Sequence, residues 1–221
     1  MKKQKVRHNR SHRQAKRKAT VAARKNEQTV TPRSPLNHAR SISSTFGINY
    51  CAVTENLFDL GIGYVILGRT ISPAKVATAL FLVDVYCLGV KNAFYTNCTH
   101  SELLLLIEKL SGDGKSMVDT SPECARKIVD GAVAYARKFG LSPHPDYPTA
   151  YALFGDANSG ACPTKYEFGK DSMPLFVSGP NDTPAKIRKV IRSLTETAGA
   201  GNFDYIVEAG PPDEPQFGSE Y

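Results

Sequence analysis

The sequence predicts an α+β domain, a single unit with a mainly antiparallel sheet built on a long central hairpin, about three helices, and a basic N-terminal arm in front. Three observations carry that expectation. The richest β-branched and aromatic stretch, Gly61 to Tyr95, has a turn signal at Ser72-Pro73-Ala74-Lys75 between two extended runs. Three later segments begin with a capping residue and continue with helical apolar spacing. The resulting order, strand-strand-helix-helix-strand-strand-helix-strand, places helices against one face of the sheet.

The chain has 221 residues and a formal charge of +7. That charge is unevenly distributed. Residues 1–40 hold 13 Lys and Arg against one acid, Glu27, whereas the remaining 181 residues hold 15 against 20. The result is an arm of +12 on a body of −5. The arm has no aromatic residue and little apolar surface to offset chain entropy, so residues 1–44 read as disordered arm and linker. Its cations Lys2, Lys3, Lys5, Arg7, Arg10, Arg13, Lys16, Arg17, Lys18, Arg24 and Lys25 are candidate phosphate contacts. Without stacking side chains their grip would be largely sequence-independent. A solvated tail, or a targeting signal at Lys16-Arg17-Lys18, fits the same composition.

The body is expected over residues 45–209, followed by a loose acidic, Pro-rich tail at 210–221. Glu55–Leu60 reads as a helical turn leading into the hairpin, whose second arm runs from Val76 to Val90. Thr99 and Glu102 make a capping box for a helix to Leu110. Ser121-Pro122 opens a second helix that stops at Gly140, with Ile128, Ala132, Tyr135 and Phe139 on one face. Ser142–Cys162 reads as a long Pro- and Gly-rich loop. Short strands are expected at Lys165–Phe168, Leu175–Ser178 and Phe203–Glu208. Thr183-Pro184 starts a third helix that buries Ile187, Val190, Ile191 and Leu194.

Five widely spaced cysteines with no CxxC pattern predict buried packing, a reducing and therefore cytoplasmic setting, and no disulfide framework. No run reaches the roughly 18 apolar residues that cross a bilayer, so no membrane partner is expected.

Gly61-Ile62-Gly63 precedes a strand and lacks the third glycine of a dinucleotide fingerprint, so it reads as a close backbone approach. Asp84 breaks the apolar second arm and needs a partner, for which Arg69 is one option. Asp84 could alternatively hold Mg²⁺ with His144, Asp146 or Asp156, as in a metal-dependent nuclease or related hydrolase. His144 and Asp146 share a proline-braced loop, which can present an imidazole oriented by an acid. The outer face of the third helix, with Lys186, Lys189 and Arg192, could extend the phosphate path of the arm. These features favour a nucleic-acid-associated protein, RNA or a ribonucleoprotein being the favoured partner, with no cofactor. The hydrolase, requiring Mg²⁺, is the alternative.

Overall fold

The structure, a computed structural model, describes residues 34–112 and 116–207. The chain divides into Met1–Ser34 and Pro35–Tyr221, and every element below belongs to the second unit. The phosphate contacts expected at residues 2–25 and the tail expected at 210–221 lie outside the described residues.

Five antiparallel strands form the main sheet: β1 (Tyr50–Thr54), β2 (Ile62–Ser72), β3 (Lys75–Asp84), β4 (Gly89–Cys98) and β5 (Met117–Asp119). Their spatial order is β4-β3-β2-β1-β5. The expected hairpin is β2–β3, closed at Ser72 and Lys75 around Pro73-Ala74. Its second arm ends at Asp84 instead of Val90, and the chain returns as a third long strand. The cause is local. Asp84 Oδ1 accepts the amides of Tyr86 (3.0 Å) and Cys87 (2.8 Å), so its side chain builds a turn. Gly89 then takes φ of 69°, and a Cβ there would lie 2.9 Å from the Ala132 carbonyl oxygen. Strands β1 and β5, which the sequence does not announce, lie on the other side of β2.

Both sheet faces are covered, which corrects the one-faced arrangement. Val65–Leu67 of β2 are buried on alternating sides. Val65 and Leu67 join Ala79, Phe81 and Val83 under Ile128, Val129, Ala132 and Val133. Ile66 and Leu80 instead meet Leu103 and Leu110. Those two groups belong to helices α4 (Pro122–Lys138) and α3 (His100–Leu110). Both start where the caps predicted. Thr99 and Glu102 form the full capping box, and Ser121 Oγ accepts the Cys124 amide.

Six α-helices occur among the described residues, against the three expected. Helix α1 (Pro35–Ser43) occupies a stretch read as linker, because Ala39 and Ile42 fall on one face and are buried in the core. Helix α2 is the short turn Leu57–Leu60. Helix α5 (Tyr147–Tyr151) and 3-10 turns at Ala152–Phe154 and Ser159–Ala161 fill the segment read as a plain loop. A disulfide between Cys124 and Cys162 pins the end of that segment to the first turn of α4, which corrects the expectation of no disulfide. Cys51, Cys87 and Cys98 are free.

Lys165–Phe168 forms no strand. Its aromatic rings serve as packing instead: Tyr166 stacks on Phe58 at 5.1 Å, and Phe168 meets the same ring edge-on. β6 (Leu175–Val177) and β7 (Asp204–Ile206) pair in parallel as a separate two-stranded sheet. Beside them α6 (Pro184–Thr197) buries Val190 and Leu194 against Cys87, Leu88 and Phe176. This third core cluster anchors α6 beside the Asp84 turn.

Candidate functional site

The Asp84 turn, the segment after α4 and helix α6 enclose a cleft of about 530 Å³. Each wall follows from local sequence. The Asp84 turn delivers Leu88, and β4 then supplies Val90 and Lys91. The His144 amide donates to the Val90 carbonyl (3.0 Å), which fastens the Pro143-His144-Pro145 stretch along β4. Helix α6 is capped by Thr183, whose Oγ1 accepts the Lys186 amide. Burial of Val190 and Leu194 then turns Lys186, Lys189, Ser193 and Glu196 toward the cleft at helical spacing, with Arg192 beside them.

Four cations therefore line one hollow, Lys91, Lys186, Lys189 and Arg192, against the single acid Glu196. Asp182 organises two of them. Its Oδ1 lies 2.6 Å from Lys186 Nζ, its Oδ2 lies 3.8 Å from Lys91 Nζ, and Oδ2 also accepts the Gly179 amide. Burial pushes the Asp182 pKa up, but the Lys186 hydrogen bond, the Gly179 amide and the Lys91 charge outweigh this and hold it below the usual aspartate value. Lys189 and Arg192 are exposed and have no acid within 4.0 Å among the described residues. His144 Nδ1 accepts the Asp146 amide (3.2 Å), which leaves the ring proton of the neutral imidazole on Nε2.

The candidate carboxylates do not converge. Asp146 lies 3.9 Å from His144 but is exposed. Asp84 sits in a separate recess of about 210 Å³ with Leu60, Tyr86 and Leu175, and Lys91 lines both hollows. Desolvation raises the Asp84 pKa to about 6, against the lowering by the Cys87 amide and the Lys91 charge. Asp156 is exposed and is felt electrostatically by Arg69. Among the described residues no group of three His, Cys, Asp or Glu side chains could hold a metal ion. The Mg²⁺ constellation of Asp84 with His144, Asp146 and Asp156 is thus not assembled there.

Arg69 is not the partner of Asp84 either. It is 3% exposed and donates to three carbonyls, those of Leu153 (2.8 Å), Phe154 (2.9 Å) and Phe46. Burial lowers its pKa. This knot ties the α5 segment and the end of α1 to the sheet. The one cation in the apolar run of β2 was its only signal in the sequence.

A second, more open hollow of about 780 Å³ lies between α1, α4 and α5, lined by Arg40, Asp130, Arg137, Tyr147 and Tyr151. Tyr151 donates to Asp130 (2.6 Å), receives Arg126 Nε (3.0 Å) and lies under the Arg126 guanidinium. Arg126 and Asp130 are one helical turn apart on α4 and lie 3.7 Å from each other, a spacing visible in the sequence. Tyr147 and Tyr151 suit a loop pinned to the body, but the meeting of Tyr151 with that pair has no local signal.

No protein-family model matches the chain, and neither a curated protein nor a solved structure matches it. Fold and site together describe an α+β protein with a cationic cleft.

Proposed function

We propose that this protein binds nucleic acid, in RNA or a ribonucleoprotein by preference, through its basic arm and through the cleft beside α6. The observation that carries the reading is the gathering of Lys91, Lys186, Lys189 and Arg192 around one hollow, on a body whose residues 41–221 are net −5. Cations concentrated against an opposite overall charge create a local field for a polyanion. The arm brings most of the positive charge, +12 over residues 1–40, and each phosphate it neutralises releases counterions. Among the described residues no helix is long and apolar enough to cross a membrane. The cytoplasmic expectation rested on cysteines without a disulfide. The Cys124–Cys162 bond removes that support, so compartment is no part of the reading.

The test compares the full chain with a chain starting at Ser34 on unrelated RNA and DNA strands across a salt series. The full chain should lose affinity by roughly 10³–10⁵ between 50 and 200 mM salt on a duplex if about 6–10 phosphates are met. The shortened chain should bind more weakly with a flatter salt slope. Absence of binding by the full chain to any nucleic acid at low salt removes the reading.

A further inference from the structure

We propose that the α6 cleft takes one nucleotide unit, its base against the apolar floor and its phosphate between Lys189 and Arg192. This deepens the nucleic-acid reading and rests on it. A track for duplex phosphates needs only a charged surface, whereas this site is concave. Its volume of about 530 Å³ falls among hollows that enclose small molecules, which run from about 300 to 1,000 Å³.

The lining is divided in the way a nucleotide is divided. Leu88, Val90, Leu141 and Val190 make an apolar floor, and Pro143 and Pro145 stand at one wall. The Asp182 contacts hold Lys186 and Lys91. Lys189 and Arg192 are left to meet an anion. His144 also lines the hollow, held by its own amide on the Val90 carbonyl and by the Asp146 amide on Nδ1. A half-exposed, immobilised imidazole is a stacking surface with one remaining donor. Bases inside a duplex are stacked on each other and cannot enter such a hollow, but those of a single strand can. The hollow by Arg40 and Arg137 is not equivalent. There Tyr151 is already covered by Arg126 and lies against Tyr147, with ring centroids 5.0 Å apart.

The experiment uses the full chain and fluorescence anisotropy of a short labelled RNA strand, the matched duplex, and adenosine monophosphate as competitor, at about 150 mM salt. The strand should bind on the order of tenfold more tightly than the duplex. His144→Ala, Lys189→Glu and Arg192→Glu should each erase that preference while circular dichroism stays native. Arg188→Glu makes the same charge change on the same helix but outside the cleft, and should leave the preference intact. Displacement of the strand by adenosine monophosphate assigns the site to free nucleotides as well. No displacement assigns it to a nucleotide within a strand. Equal binding of strand and duplex, or equal losses from Arg188→Glu and Arg192→Glu, overturns the cleft proposal and leaves the arm-based reading standing. Absence of binding by the full chain to every nucleic acid removes both.

Discussion

At neutral pH the Asp84 carboxylate carries a charge that its surroundings disfavour. It is 6% exposed, and burial lifts its pKa from 3.8 to about 6. An acid with a raised folded-state pKa favours folding most below its unfolded value and loses that contribution as pH rises through the folded value. Urea unfolding should therefore show Asp84 withdrawing about 2–3 kcal/mol between about pH 4 and 6.5. Asp84→Asn retains an oxygen to accept the Tyr86 and Cys87 amides without the charge, so it should flatten this pH dependence and be at least as stable at pH 7. Asp84→Ala removes the acceptor and should be the least stable of the three. Arg69 is the opposite case, a buried cation satisfied by carbonyls. Arg69→Met leaves three acceptors without their donor, and should cost about 3 kcal/mol or more in the same assay. A loss below about 1 kcal/mol would show that water replaces the guanidinium.

Among the elements, those with signals in adjacent residues were legible. The caps at Thr99, Ser121 and Thr183 and the Ser72–Lys75 turn act within one turn of chain, so the sequence displays them directly. Helix α1 and strands β1 and β5 were not legible, because they are short and owe their order to partners distant in the chain. The cleft was half legible. The His144 loop and the α6 cations each stand out in the sequence, but their meeting rests on the His144 amide on Val90, the Ser193 hydroxyl on the Phe139 carbonyl and the packing of Leu141 with α6, which no local pattern announces. Two predictions belong here. A chain starting at Ser34 should melt as the full chain does, whereas one starting at Ser44 loses Ala39 and Ile42 from the core and should be weaker by about 2 kcal/mol or more. Reducing Cys124–Cys162, which closes a separation of 38 residues, should cost about 3–4 kcal/mol. Unchanged urea midpoints with and without reductant would show that the bond constrains nothing.

For the molecule as a whole, charge separates where core packing does not. The described elements all belong to one unit, while nearly half of all Lys and Arg, 13 of 28, precede residue 41. Binding measured as a function of salt should therefore resolve into two slopes. If the cleft meets one phosphate of a single strand, the chain starting at Ser34 should show a log–log slope of about −0.7. The full chain should be steeper by the number of arm cations engaged. Identical slopes would place all recognition in the body.

The Cys124–Cys162 bond has a topological consequence. Together with the intervening backbone it closes a covalent ring that contains α4, the His144 stretch and α5. A protease that cuts once inside the ring, at the exposed Pro145 or Asp146 for instance, opens the circle without releasing a fragment. The nicked protein would run as a single band in a non-reducing gel and as two once thiol is added. That difference, read on protein taken directly from cells, reports whether the ring is closed where the protein works.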